Sequence, residues 1–330
     1  MLESYKIENV DGEEFLYLYL DINYEFANEL SNDNLQKKAS NYLATHNIKF
    51  NGQKVIFVIN GIETKMIDLN KKKVYLNDKI ILVNNRKLKI EEVLLGLLFS
   101  NINFDLEFET LKALTVLYRS EVIRNLRNDV LVNSDFSLNY NNYEFYKDNY
   151  PKTFAKYYDI YLKVIKDTCS EYLIYNDEVI KCYTHLVSNG YTEDELKIPY
   201  LKRRESLFDL TYPNYLQRKK VSFDELRHLL NLNSDEITFK ITNISNSNRV
   251  KKIEINGKEF EASLMAALIK LPSTDMTIVI GNKEVIFITR GIGNGLGLSI
   301  FGANFLANLK LNYKQILNYY FDGVKLVVIK

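Results

Sequence analysis

Tryptophan is absent from the 330 residues, and cysteine, histidine and proline are scarce at 2, 3 and 4. Two cysteines cannot build a disulfide framework, and Cys169 and Cys182 lack metal-ligand spacing, so they read as two free buried thiols, with pairing across a hairpin in an oxidising compartment as the alternative. No excess of either charge exists: 43 Lys and Arg stand against 42 Asp and Glu, so no global field recruits nucleic acid or an anionic membrane. No apolar run approaches the length of a membrane span. The N-terminal MLESYKIENVDGEEF also lacks the basic-then-hydrophobic order of a secretion signal. Apolar and aromatic residues are plentiful: 46% of the chain is hydrophobic, which supports a sizeable core. The 24 tyrosines and 18 phenylalanines read first as half-buried sheet surface, with sugar stacking as the alternative for a few.

Residues 1–78 read as a small α+β module without evident chemistry. Phe15 to Leu20 and Val55 to Ile59 have strand composition, and Tyr24 to Tyr42 has helical spacing. Asn60-Gly61 is a turn signal, Asn70 to Lys73 is a charged tip, and His46 is an exposed loop residue. From residue 79 onward, Lys79 to Val83 and Arg86 to Ile90 predict short strands, and Glu91 to Leu98 a helix. Leu111, Leu114, Leu117, Tyr118 and Val122 fall on one face of a second helix. Residues 143–168 form one amphipathic run, and Tyr172 to Cys182 a hairpin turning at Asn176-Asp177. A helix over Phe223 to Leu232, which carries His228, precedes strands at Ile237 to Ile244, Val250 to Ile255 and Lys258 to Phe260. Asn256-Gly257 turns the last pair, and Glu261 to Lys270 is a helix.

The densest signal lies near the C-terminus, where glycines occupy 291, 293, 295, 297 and 302. Glycine at every second position weakens both helix and strand and is cheap only where the backbone turns or is closely approached, so this is a shaped loop. A phosphate-binding reading fails. No GxxxxGK[ST] is present, and no acidic residue can follow at a second strand end because the chain is ending.

The stretch resembles the C-terminal signature of the stage II sporulation protein D (SpoIID) and amidase-enhancer (LytB) family, close to GHGVGMSQYGA. Gly293, Gly295, Gly297, Ser299, Gly302 and Ala303 match, as do Ala307, Tyr313, Ile316, Leu317, Tyr319, Tyr320 and Gly323. Glu91 to Leu98 is similar to the family's EEYLxGVV helix, and Glu109 to Ser120 to its EALKAQAVAARTYA segment, with Lys112 and Arg119 as matching polar positions. His185 to Thr192 is similar to HxSSGGxT, Pro199-Tyr200-Leu201 to PYL, and Leu271 to Ile278 to LGLRSTDFTI. The resemblance covers about residues 79–330 and implies an α+β SpoIID-like domain behind the N-terminal module.

The departures fall on the polar positions. The family's histidine, glutamine and tyrosine in the glycine signature are Asn294, Ile300 and Phe301 here. The glutamate that in active members is the acid and base of lytic glycan cleavage is Asn101. Leu131 to Tyr140, which matches the family's zinc loop, has neither Cys nor His, so the resemblance carries over no metal and no cofactor. An amide cannot deliver a proton, and general acid–base help is worth about 10²–10⁴-fold, so an unreplaced Asn101 leaves little turnover. A relocated acid would have to come from Glu92, Asp105, Glu107 or Glu109, all near helix starts where carboxylates also serve as caps.

The expected protein is therefore a non-catalytic member that binds peptidoglycan glycan strands or a wall-remodelling partner protein. Its cleft would be lined by Asn101, Lys112, Arg119, His185, Ser188, Asn294 and Ser299. The alternatives are an altered lytic transglycosylase that uses one of the four carboxylates, and an interaction protein without a glycan ligand. The resemblance implies a place at the cell envelope or forespore-facing surface; the missing export signal leaves the cytoplasm open.

Overall fold

In the computed structural model the described residues are 2–10, 13–20, 39, 41–52, 54–59, 62–68, 80–83, 86–102, 104–126, 130–131, 138–232 and 236–328. They divide into two compact units, residues 1–74 and 75–330. In the first, β1 (Leu2–Val10) and β2 (Glu13–Leu20) form an antiparallel pair, β3 (Lys54–Ile59) runs parallel to β2, and β4 (Ile62–Asp68) pairs antiparallel with β3. Strand alternation sends Leu16, Leu18, Val55 and Phe57 to one face, where all four are fully buried with Ala39 and Ile48. His46 is exposed just after a helical stretch, as expected. Most of the helix expected from Tyr24 to Tyr42 lies outside the described residues, as do Asn60-Gly61 and the tip at Asn70 to Lys73. Strands β1 and β4 carry no signal that the sequence reading used.

The second unit opens with β5 (Ile80–Val83) and β6 (Arg86–Lys89), which lead into α1 (Ile90–Asn101) and α2 (Phe108–Asn125). The strand β7 (Val130–Leu131) pairs parallel with β5. Helix α1 is apolar almost all round, burying Val93, Leu94, Leu97 and Leu98, and so lies inside the core rather than on it. On α2 the five apolar residues of the expected face are buried, together with Thr115, Arg119, Ser120 and Glu121, so this helix is enclosed as well.

The single run expected over 143–168 is two helices, α3 (Tyr143–Asn149) and α4 (Pro151–Asp167). Pro151 explains the break: it disfavours helical backbone at Tyr150, whose φ is −134°, and suits the first position of the next helix. The hairpin of β8 (Glu171–Tyr175) and β9 (Glu178–Val179) turns on Asn176 and Asp177, both at positive φ. Cys182 is buried, but Cys169, just past the end of α4, is exposed, which corrects the reading of two buried thiols.

After β10 (Thr184–His185) the chain builds a lobe with its own core. Its elements are β11 (Leu216–Ser222), α5 (Phe223–Leu230), β12 (Phe239–Ile244), β13 (Val250–Ile255), β14 (Lys258–Glu261), α6 (Ala262–Ile269), β15 (Met276–Ile280) and β16 (Glu284–Arg290). Val221, Leu226, Ile253, Met265 and Phe287 fill it. Two small sheets, ordered β11-β16-β15 and β12-β13-β14, contribute to this core. The chain then returns to the main core through β17 (Leu298–Ser299), α7 (Ile300–Asn308), α8 (Tyr313–Tyr320) and β18 (Lys325–Val328). Strand β17 pairs parallel with β10, and β18 pairs antiparallel with β8. Among the described residues helix and sheet are thus mixed without a βαβ repeat, an α+β arrangement.

Candidate functional site

The glycine-rich loop lies on the backbone that follows Tyr183. Gly291, Gly293, Gly295 and Gly297 all have positive φ, and a Cβ at Gly297 would strike the Tyr183 carbonyl, so this close approach requires glycine. Ile292 N donates to Val187 O at 2.8 Å, Val187 N to Ile292 O at 3.1 Å, and Leu298 N to Tyr183 O at 3.0 Å. Pinned beneath the loop is His185, with Nδ1 3.1 Å from the Leu296 carbonyl. A carbonyl only accepts, so Nδ1 carries the proton and Nε2, which has no hydrogen-bond partner among the described residues, is an acceptor. Burial, followed by the nearby Arg249 charge, pushes the His185 pKa down to about 3, so the ring is neutral.

A buried polar network fastens the loop to the lobe. Arg249 Nη1 donates to Ser273 Oγ and to Gly293 O, both at 3.0 Å. Glu193 lies 3.9 Å from Arg249 Nε, accepts from Ser245 Oγ at 2.9 Å and pairs with Lys251 at 3.0 Å. Asn189 Nδ2 donates at 2.6 Å to Asp275, which Arg290 reaches at 3.2 Å. Asp209 accepts from Ser188 N at 2.8 Å and Ser206 Oγ at 3.0 Å; burial raises its pKa, and the Ser188, Ser299 and Ser206 hydroxyls oppose that rise. Sequence reasoning missed Arg249, Glu193, Asp209 and Asp275, because their partners are distant in sequence and no local pattern marks a buried charge.

Within this frame Ser188 and Ser299 are posts rather than ligand contacts. Ser188 Oγ accepts from Gly190 N at 3.1 Å, and Ser299 Oγ caps α7 at Gly302 N at 3.3 Å; both residues are fully buried. Asn294 is exposed at the tip, its Oδ1 accepting from Leu296 N at 3.0 Å. Phe301 packs edge-on against Tyr212 at 5.1 Å, and Ile300 is buried.

Asn101, the last residue of α1, is used differently. Its Nδ2 donates to Leu97 O and to Asn139 O, each at 2.8 Å, while its Oδ1 accepts from Asn139 N at 3.2 Å. The neighbouring Ser100 Oγ accepts from Asn141 N at 2.9 Å and from Tyr146 OH at 3.0 Å. Residues 140–141 can lie this close because a Cβ at Gly96 would collide with the Asn141 carbonyl and the Tyr140 ring. An amide both donates and accepts, so Asn101 can clamp the passing backbone from both sides; a carboxylate could only accept.

Three of the four candidate replacement acids have other tasks, and the fourth, Glu107, is engaged through its backbone. Glu92 accepts from Lys89 N at 2.6 Å and caps α1. Asp105 is held by Lys156 and Tyr157, whose hydrogen bonds lower its pKa, the wrong direction for a proton donor at neutral pH. Glu107 immediately precedes α2, with its backbone N donating to Asn304 Oδ1 at 2.6 Å. Glu109 accepts from Tyr313 N at 2.8 Å and from Lys112 at 2.9 Å.

Lys112 and Arg119 of α2 face elsewhere than expected. Lys112 lies between Glu109 and Asp167, with its ammonium 4.8 Å from the Phe108 ring centroid. Arg119 is fully buried and donates to the Glu171 carbonyl at 3.0 Å and the Ile165 carbonyl at 3.3 Å, so it supports the core and offers nothing to a ligand. Its burial lowers its pKa to about 10. The structure therefore gathers His185, Ser188, Asn294 and Ser299 around the glycine loop, sets Asn101 against 139–141, and turns Lys112 and Arg119 toward the end of α4. Of the expected zinc-loop match, 132–137 lie outside the described residues.

A mixed α+β domain that carries this glycine loop is what the resemblance to the SpoIID family leads one to expect, and the comparisons give a partial similarity in the same direction. The chain is 27% identical over 253 residues to the Stage II sporulation protein D of Bacillus subtilis, covering 72% of this chain and 74% of that protein. It is 24% identical over 251 residues to the Stage II sporulation protein D of Bacillus amyloliquefaciens, covering 71% and 73%. An uncharacterized protein of Brachyspira hyodysenteriae is 26% identical over 270 residues, covering 76% and 69%. No family model matches the chain. The similarity is thus partial. Among the described residues no helix is long and apolar enough to cross a membrane.

Proposed function

We propose that this chain is a non-catalytic SpoIID-like protein that binds peptidoglycan glycan strands within a sporulation-type wall-remodelling complex at the cell envelope. The observation that carries the proposal is Asn101. At the place where the family resemblance expects a proton-donating carboxyl, an amide is bonded on both sides to backbone at 2.8 Å and 3.2 Å. An ionised carboxylate there would lose both donated bonds, so the amide serves the framework. The hydrogen bonds that hold the carboxylates of Glu92, Asp105 and Glu109 support the same reading, since each is already engaged with groups of the framework.

Digestion of peptidoglycan freed of stem peptides, with products read by mass spectrometry, tests the proposal. The unaltered protein is expected to release no anhydro-muropeptides. Their release in amounts that scale with protein and time would overturn the non-catalytic reading and direct attention to the carboxylates between Glu91 and Glu109.

A further inference from the structure

Near Asn101 runs a line of aromatic rings, of which Tyr143 and Tyr146 pack against the core while Phe145 and Tyr150 do not. Helix α3 buries none of its residues, yet it carries Tyr143, Phe145 and Tyr146 and leads into Tyr150. Phe145 is 40% exposed and Tyr150 52% exposed. Their centroids lie 6.0 Å apart, and Tyr146 lies 5.3 Å from Phe145 and 5.9 Å from Tyr150. The cluster is anchored from below: Tyr146 stacks on Phe99 of α1 at 5.4 Å, Phe99 on Phe154 at 5.2 Å, and Tyr146 OH donates to Ser100 Oγ. Two large apolar rings are thus left exposed against an anchored third, Tyr146.

The approach to these rings, residues 139–142, contributes amides. Asn101 and Ser100 hold its backbone at Asn139 and Asn141, and both of those side chains are exposed. The charged residues of the strip, Glu144, Lys147 and Asp148, are of mixed sign, so it complements neither a polyanion nor a basic peptide. Flat apolar faces beside neutral amides fit a ligand with the same alternation, namely a sugar whose C–H face stacks on an aromatic ring and whose acetamido group pairs with an amide.

We infer that Phe145 and Tyr150, with Asn139 and Asn141, form the seat for a β-linked N-acetylhexosamine strand, positioned by the clamp at Asn101. This inference rests on the glycan-binding function proposed above and adds where on the chain the sugar sits. The residue standing at the acid position then has a positive task, since it fixes the segment that presents the platform.

The test uses the full chain with two probes: the β-1,4-linked N-acetylglucosamine hexamer by calorimetry, and peptidoglycan glycan freed of stem peptides by co-sedimentation. The Phe145→Ala/Tyr150→Ala double variant is expected to bind at least about tenfold more weakly, while Tyr150→Phe, which keeps the ring face, binds as the natural protein does. Both rings are substantially exposed, so unchanged thermal melting is expected and separates loss of binding from loss of fold. Undiminished binding by the double variant to either probe overturns the platform while leaving glycan binding intact. Failure of the natural protein on both probes overturns glycan binding itself, and the platform with it.

Discussion

The Asn101→Asp substitution exchanges one NH2 for one oxygen and changes almost nothing in shape, so its effect isolates what the amide does. In the natural protein Nδ2 donates two bonds of 2.8 Å, to Leu97 O and Asn139 O. The variant would instead set a carboxylate against two carbonyl oxygens. A lost hydrogen bond costs about 1 kcal/mol and a buried polar group left unsatisfied about 1–3 kcal/mol; at this half-buried site we expect roughly 2–4 kcal/mol at neutral pH. That is a large share of the ~5–15 kcal/mol that stabilises a typical fold. The sign with pH follows from the same geometry. The neutral acid can donate one bond where the carboxylate donates none, so the folded-state pKa of the introduced carboxyl rises above its unfolded value of about 3.9. The penalty from ionisation is therefore absent below that unfolded value and complete once pH has passed the raised folded value. Urea unfolding of both proteins at about pH 4 and about pH 7.5 reads this as a gap that opens with rising pH. Equal midpoints at the higher pH would refute the clamp.

Three further outcomes are expected. Folding stability should fall as pH drops from about 6.5 toward 3, because the unfolded chain binds a proton at His185 that the buried ring refuses, and His185→Gln should flatten that slope in acid-unfolding curves. Gly297→Ala should cost at least about 1–2 kcal/mol, since φ is +71° and the new methyl meets the Tyr183 carbonyl; thermal melting checks it. Arg249→Met should cost about 2–4 kcal/mol through the lost bonds to Ser273 and Gly293, and hydrogen exchange should quicken first in 291–297.

The parts of the fold visible in the sequence are those set by local chemistry. Asn176-Asp177 and Asn256-Gly257 turn where such pairs should, each residue at positive φ. The apolar spacing of α2 names residues that are all buried. Its polar members could not be read the same way: Arg119 reads as a surface cation until β8 and α4 enclose it. The break at Pro151 was written in the sequence, but the helical periodicity of the apolar residues runs straight across it. The glycine loop was legible as a loop because alternating glycines exclude regular structure; what lies beneath it was not. Arg249 and Glu193 are separated by the whole start of the lobe and meet only when the lobe folds back. Asn101 could be recognised as a missing acid, but its role as a clamp required the position of Asn139.

In the function proposed here, the acid position has been given over to the framework while glycan binding is kept. Incubating the natural protein with glycan strands freed of stem peptides, and measuring in the same samples both the protein retained and the products released, tests both halves together. Saturable retention with no anhydro-muropeptide is the predicted result. Cleavage, or protein that stays wholly in solution, would contradict it.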